Sequence, residues 1–590
     1  MSVENLDQVI MADCEKRGLI VSKDVVLFLL ELYKLNPEYA TKANNEEPDN
    51  KAIDIITEKL LAQNSPSLFT LKIQLYFMKH YGTRPVIIKK HRQRLEKRTQ
   101  LLVKEICDLK DLINKKDTEK LYQKILVIIT LASGLGNPMD TSVLRETSVA
   151  LQSVYGLSEL NHFITLSKDE KKYKLVQLIK IVAGIRLFNK DCRRGGAGID
   201  DLPQILQKAI EKSHQSILEF LQDIMKRVYR FTAAVENIVL ILSSSLKSPR
   251  FSDNHTDHAI WLIETLTAYR QQEIFIRKLL ADVESSDKEI RGSVVRLKSR
   301  LLKIHDTVRY RTAIPTIQVY PQFVDLADIW INLQNEVIIL SQINNLVCQI
   351  KALSMKNFDA DNDVNHLEID RFVKGREIPS DAERLERSMG KLITKCGDCL
   401  IYYPHSTKNF EKIHLEFLGF CAWSFTLGRG ALIPGNPNIG VVMWRGKYFA
   451  FSSNDAARKF GDDPTRFHHE AMDFIRRHAE YIHLFQVQED IENMNNGNEF
   501  LDTEHTVKRQ QDQAFQTDVH VFASKISPNY HHSIWEYKKK ALKLANISEC
   551  ITRSTQTNIC QFKRSREVQA SESKSISIQT HENYQRNASH

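Results

Sequence analysis

The sequence contains no uninterrupted apolar run near the roughly 18 residues a membrane span requires. Its first residues, M-S-V-E-N-L-D-Q, place acids where a secretory signal would carry an apolar stretch. Both absences predict a soluble chain with no secretory signal and no membrane partner. Cysteine is sparse: nine residues, an odd number, lie scattered from Cys14 to Cys560. That distribution reads as reduced thiols of a cytosolic compartment and not as a disulfide framework. A dominant charge sign is lacking as well. The 82 Lys and Arg against 73 Asp and Glu leave +9 over 590 residues, a weak preference for acidic partners. Catalytic signatures are also missing. There is no G-K-[ST] of a Walker loop, no H-E-x-x-H and no second close cysteine pair of a zinc ribbon.

What is present is mostly helix. Ser22 precedes K-D-V-V-L-F-L-L-E-L-Y-K-L, a capped helix start with a wide apolar face. Ile217, Phe220, Leu221, Ile224, Met225, Val228 and Phe231 recur at three- and four-residue spacing. Pro85, Pro138, Pro203, Pro249 and Pro315 punctuate the pattern. Residues 1–355 therefore read as successive helical hairpins, a bundle or an irregular solenoid without a fixed repeat, with sub-boundaries near 85 and 205. Residues 356–390 are acidic and polar, a linker or the flank of one helix. From Phe417 to Phe451 the runs F-L-G-F-C-A-W-S-F, I-G-V-V-M-W and K-Y-F-A-F read as strands between turns. The stretch Ser452-Ser453-Asn454-Asp455 caps a helix through Phe460, and a second helix is expected from Pro464 to Glu489. Residues 391–489 thus form a small α+β domain. The last stretch, 490–590, reads as a largely disordered tail with one short helix at 533–546.

Four features hold candidate chemistry. Cys192 to Asp201, C-R-R-G-G-A-G-I-D-D, could offer amides and Arg193 and Arg194 to a phosphate, although a glycine-rich helix end is the favoured reading. Cys396 and Cys399 form a C-x-x-C without the setting of a zinc or redox site, so two buried or idle thiols are expected. His468-His469-Glu470 reads as a solvated helix start. Between Arg84 and Arg98 lies the densest basic run. Its Lys89, Lys90, Arg92, Arg94, Lys97 and Arg98 wind around one helix, and they suit an acidic protein surface better than nucleic acid, since no aromatic interleaving accompanies them. No catalytic, cofactor-binding or metal-ligating residue is assigned.

Trp444 to Phe467 resembles small YHS/TRASH-type modules, in which an aromatic strand leads to a Cys-bearing turn and a helix. Here Ser452 and Ser453 occupy the turn, and Ala456 or Ala457 stands where a helix cysteine would. Serine and alanine cannot replace thiolate ligands, so the resemblance implies a metal-less scaffold used for binding. Several blocks together are similar to the cilia- and flagella-associated protein 206 family. They are L-A-S-G-L-G-N-P at Leu131, L-R-E-T-S-V-A-L-Q-S-V at Leu144, F-I-T-L-S-K at Phe163, I-V-A-G-I-R-L-F-N-K-D-C-R-R-G-G-A-G-I-D-D-L-P at Ile181, T-A-I-P-T-I-Q-V-Y-P at Thr312 and L-I-P-G-N-P-N-I-G at Leu432. That resemblance implies a non-enzymatic protein of the axoneme, in the cytoskeleton of cilia and flagella, with the basal body as a further place. There it would help anchor a radial spoke and an inner-arm dynein on the doublet microtubule, with the basic run toward tubulin.

Three Gln-Thr pairs punctuate the tail, the fullest being R-S-T-Q-T-N at Arg553. Thr555, Gln556 and Thr557 resemble the anchor that a dimeric dynein light chain adds to its sheet as an extra strand.

Overall fold

The computed structural model describes residues 3–36, 50–109, 115–244, 253–309, 314–358, 369, 373–375, 377–387 and 391–495. All of them belong to one compact unit, Met1–Ile526. Among the described residues there are eighteen α-helices and one small sheet.

The framework is three long helices: α10 (Leu202–Ser244), α11 (Asp253–Arg309) and α12 (Thr316–Phe358). At 1.5 Å per residue the 57-residue α11 is about 85 Å long. Cross-contacts fix the directions. Arg227 and Thr232 of α10 meet Tyr269 and Arg270 of α11, while His214 lies 3.9 Å from Glu284, so these two helices are antiparallel. Thr307 meets Gln322 and Arg300 pairs with Asp325 at 2.9 Å, making α12 antiparallel to α11. Asn344 donates to Ser213 at 3.0 Å, and Lys351 lies over the Phe220 ring, which sets α12 parallel to α10. The buried positions of α10 are those of its three- and four-residue spacing, including Ile217, Phe220, Leu221 and Val228. The prolines mark helix starts. Pro85 and Pro203 sit in first turns, Pro315 directly precedes α12, and Pro138 lies in the turn before α7 (Thr141–Gln152); Pro249 lies outside the described residues. Pro321, inside α12, breaks this rule.

One property of α12 departs from the sequence expectation. Thr316–Ser354 is long and apolar enough to cross a membrane, with a mean hydropathy of 1.3 over eighteen residues. No run within it is uninterrupted, however. Asn335 and Glu336 lie among its buried residues, and Leu326, Trp330, Leu333, Ile339 and Ile343 belong to the protein core.

The N-terminal helices α1 (Val3–Lys16), α2 (Lys23–Tyr33), α3 (Asn50–Leu61) and α4 (Pro66–His80) pack on this framework. Ser22 occupies the N-cap of α2, although its side chain makes no capping bond. Phe77 of α4 stacks on Phe275 of α11 with ring centroids 3.9 Å apart. Burying one such ring contributes roughly 1.5–3 kcal/mol. A second core gathers α5 (Arg84–Asp108), α6 (Lys115–Ser133), α7, α8 (Leu160–Thr165) and α9 (Lys168–Asp191) around Ile106, Leu121, Ile125, Leu151, Phe163 and Leu175. Gly184 lets α9 cross α12 closely, since a Cβ there would stand 2.1 Å from the Phe323 carbonyl. The short α13 (Asp381–Arg387) buries no residue and is held by charge. Arg270, itself buried, donates to Asp381 at 3.0 Å and to Glu273 at 2.8 Å.

The α+β part has a three-stranded antiparallel sheet, β1 (Leu400–Tyr402), β2 (Val441–Trp444) and β3 (Lys447–Ala450), in that order. Leu400 pairs with Met443 and Val441 with Ala450. Arg445 and Gly446, both with positive φ, close the β2–β3 hairpin, the backbone signature of a tight turn matched to strand twist. The strand reading of F-L-G-F-C-A-W-S-F does not hold. Phe417 and Leu418 take positive φ in a short 3-10 segment, and Ala422–Leu427 is a helix, α14, whose aromatics enter the core. Phe417, Phe425, Phe449 and Phe485 form that core with ring centroids 5.3–6.1 Å apart.

Beyond the sheet, α15 (Asn454–Asp462) is capped by Ser453, one of the four residues read as its cap. The single helix expected to run to Glu489 is instead three: α16 (Pro464–Arg477), α17 (Ala479–Phe485) and α18 (Gln488–Asn495). The breaks fall at His478, in extended geometry, and at Gln486, with φ +57. They turn Tyr481 and Phe485 inward. Tyr481 then meets Thr267 of α11 at 2.9 Å and donates to the Gly430 carbonyl at 3.2 Å. Its neighbour Glu480 accepts from Lys59 of α3 at 3.2 Å, while Gln74 of α4 donates to the Glu480 carbonyl at 2.8 Å. The same buried core therefore contains residues of the N-terminal helices, the long helices and the α+β part.

Candidate docking surface

Helix α5 begins with Thr83 at the N-cap and Pro85 in its first turn. Arg84 faces inward, donating to Ser286 at 2.8 Å and pairing with the buried Glu336. The other end is anchored by the buried Ile106 and Cys107. Between these anchors, from Lys89 to Gln100, only Leu95 and Thr99 are even half-buried. The six cations Lys89, Lys90, Arg92, Arg94, Lys97 and Arg98 are all exposed and wind around the helix as read from the sequence. Lys90, Arg94 and Lys97 recur at helical spacing with Lys104, a row about 21 Å long. Arg98 flanks it, and Leu101, at 74% exposure, stands within it.

Among the described residues none of the six makes an ion pair or a side-chain hydrogen bond. Glu96 is the one acid between Arg84 and Lys104; Glu105 and Asp108 are taken by Lys124 and Lys168. The row is costly in isolation. Like charges four apart, such as Lys90–Arg94 and Arg94–Arg98, each oppose the helix by a few tenths of a kcal/mol. An acidic surface laid along the row would relieve that cost.

The amides of the glycine-rich loop behave oppositely, although its Arg193 and Arg194 side chains are exposed. Its Gly196 and Ala197 amides donate to the Glu146 carboxylate at 2.6 and 2.7 Å. Arg186, 1% exposed, donates to the Leu135 and Ala197 carbonyls at 2.6 and 2.8 Å and lies 3.7 Å from Glu146. Lys190 closes the loop by donating to the Asp200 carbonyl at 2.6 Å. The amides that could cradle a phosphate thus hold the protein's own carboxylate. Glu146 comes from α7, in the block beginning at Leu144, and the sequence reading missed it. Three of the blocks that carry the family resemblance, at Leu131, Leu144 and Ile181, meet here.

Cys396 is buried and Cys399 half-buried, both as free thiols. His468 corrects the expectation of a solvated helix start. It is 2% exposed, packed against Phe417, Trp444 and Phe449, and burial pushes its imidazole down to about 4. His469 beside it is exposed. Ala456 and Ala457 are wholly buried in α15, filling space where the resembling modules place a thiolate. Among the described residues no three His, Cys, Asp or Glu side chains are grouped to hold a metal ion. Thr555, Gln556 and Thr557 lie outside the described residues, as does the expected helix at 533–546.

Comparison with known proteins places these features in a family. A family model described as FAP206, a domain of unknown function, matches residues 205–492. Cilia- and flagella-associated protein 206 of Bos taurus is 32% identical over 585 residues, covering 98% of this chain and 92% of the relative. The Mus musculus protein of that name is also 32% identical, with the same coverage. The Tetrahymena thermophila protein is 25% identical, covering 87% of this chain and 82% of its own. No solved structure matches the chain. With similarity running along nearly the whole length of both chains, this protein belongs to the cilia- and flagella-associated protein 206 family.

Proposed function

We propose that this protein is a non-enzymatic adaptor of motile cilia and flagella. It helps to dock a radial spoke and an inner dynein arm on the doublet microtubule, and so supports ciliary beating and sperm motility. The cilium- and flagellum-associated role comes with the family whose relatives bear that name. The axonemal place and the spoke and dynein partners are the finer part of the proposal.

The observation that carries it is the unpaired cationic row of α5. A protein that keeps such a row along about 21 Å, while filling the amides of its glycine-rich loop with its own Glu146, holds charge in reserve for an acidic partner. The acidic surface of tubulin fits that requirement. The tail segment at Thr555–Thr557 adds a dynein light chain as a further candidate partner.

The test is fractionation of a ciliated cell expressing the tagged protein. The protein should remain with the doublets after detergent extraction and leave them as salt is raised. Complete recovery in the detergent-soluble fraction would remove the reading.

A further inference from the structure

The C-x-x-C turn is the one sequence motif that docking leaves unused. The Cys399 amide donates to the Cys396 carbonyl at 3.0 Å, which closes the turn. Gly397, at φ +50, lets it lie flat on the end of α15: a Cβ there would stand 2.0 Å from the Gly461 carbonyl. Cys396 Sγ donates to the Ala457 carbonyl at 3.0 Å. Cys396 is 1% exposed, whereas Cys399 reaches solvent. This is the asymmetry of an exchanging dithiol, one sulfur accessible and the other held behind it.

We propose that Cys396 and Cys399 form a redox-active pair that exchanges with small disulfides of the oxidised-glutathione class, with Cys399 as the attacking sulfur. The Cys399 thiolate attacks one sulfur of the small disulfide. A mixed disulfide forms, and one thiolate leaves and is protonated. Cys396 then loses its proton to solvent and attacks the Cys399 sulfur, releasing the second thiolate, which takes up a proton. The dithiol loses two electrons and the small disulfide gains them. Oxidation removes the Cys396 donor from the Ala457 carbonyl, so the state of the pair is felt in α15.

The electrostatics agree with these roles. The neighbouring Cys396 thiol holds the Cys399 thiol below its ordinary range, against its burial and the charge of Asp398. Cys399 in turn, then burial and Asp462, push Cys396 up. Among the other described cysteines, burial pushes Cys14, Cys107 and Cys192 up, Cys421 is buried, and Cys348 is exposed on α12.

Cys348 is therefore the internal control. The full chain is pulse-labelled with iodoacetamide at pH 7, and each cysteine is followed by peptide mass spectrometry. Cys399 should label about threefold or more faster than Cys348 despite its lower exposure, the net gain left when thiolate fraction rises and nucleophilicity falls. Cys396→Ser should bring it down to the Cys348 rate. Equilibration with millimolar oxidised glutathione should yield the 396–399 disulfide in the native chain and a mixed disulfide on Cys399 in C396S. Should C396S misfold, Cys399→Ser leaves the buried thiol and its bond to Ala457 in place. In that variant Cys396 must stay unmodified. A Cys399 rate no faster than that of Cys348, or a pair still reduced in oxidised glutathione, overturns the proposal.

Discussion

The basic row of α5 and the loop from Cys192 to Asp201 are the two places where this sequence concentrates cations beside elements able to grip an anion, and the fold uses them in opposite ways. At the loop, the Gly196 and Ala197 amides turn inward and, with Arg186 of α9, converge on Glu146, while the Arg193 and Arg194 side chains stay exposed. On α5 the six cations turn outward and meet nothing among the described residues. Local composition does not separate the two cases. What separates them is whether another element brings a carboxylate within reach, and α7 does so for the loop alone.

The largest predicted effect breaks the inward half of the comparison. Arg186→Met leaves the Leu135 and Ala197 carbonyls without their donor and Glu146 without its cation. Removing one partner of a buried pair costs about 3–5 kcal/mol, read as a lower midpoint in urea unfolding. A loss under about 1 kcal/mol would mean the loop holds its shape without the arginine. Glu146→Ala removes the other partner and should cost about 1–3 kcal/mol. That variant also empties the amide cradle, so sulfate should raise its Tm and leave the native Tm unchanged. If sulfate moves neither, the loop's geometry, and not its internal occupant, excludes anions.

Inward charge also titrates. Glu264 of α11 faces Glu480 of α17, Lys59 of α3 and the Ser67 backbone of α4; burial and then Glu480 push its carboxyl up to about 7, against Lys59. The folded chain keeps that proton to about pH 7, whereas an ordinary carboxyl releases it near 4.5. Its contribution is therefore fully present below pH 4.5 and lost as pH rises toward 7. His468 acts in the reverse sense. Held down to about 4 from 6.5, it contributes stability above pH 6.5 that is lost as pH falls toward 4. Between pH 4.5 and 6.5 the two oppose each other. Glu264→Gln should remove one side, so that the variant loses about 2–3 kcal/mol more than the native chain when both are acidified from pH 7 to 4.5. Urea unfolding at several pH values checks this, and parallel profiles would show that Glu264 is solvated.

Much of this was written in local pattern. The three- and four-residue spacing of Ile217 to Phe231 marked the buried face of α10, and proline marked the helix starts. His468 was readable too, since 468, 471, 472 and 475 form one helical face with Ala471, Met472 and Ile475, all buried. Glu146 was not readable, because its partners lie forty to fifty residues away and only the packing of α7 on α9 unites them. The breaks at His478 and Gln486 were hidden for another reason: neither residue type stops a helix. There the chain turns because Tyr481 and Phe485 have an aromatic core to enter. F-L-G-F-C-A-W-S-F misled by composition, since aromatics suit a pleated surface and a buried helix equally.

The outward half of the comparison predicts the smallest effect on stability and a large one on association. Lys90→Glu, Arg94→Glu and Lys97→Glu together should leave unfolding within about 0.5 kcal/mol of the native value, because no internal partner is lost and like-charge repulsion is relieved. Association with isolated doublets should nonetheless fall by about tenfold or more, the sum of three exposed pairs worth about 0.5–1 kcal/mol each. Net charge alone is controlled by reversing Lys120, Lys172 and Lys226, which pair with acids on their own helices, Asp117, Asp169 and Asp223. Both triple variants change the charge by the same amount, so only a row that contacts the partner directly will tell them apart. If the two weaken association equally, the contact is diffuse attraction and α5 has no special place in it. If the α5 variant alone weakens it and flattens its salt dependence, the cations left unpaired by the fold are those the partner neutralises.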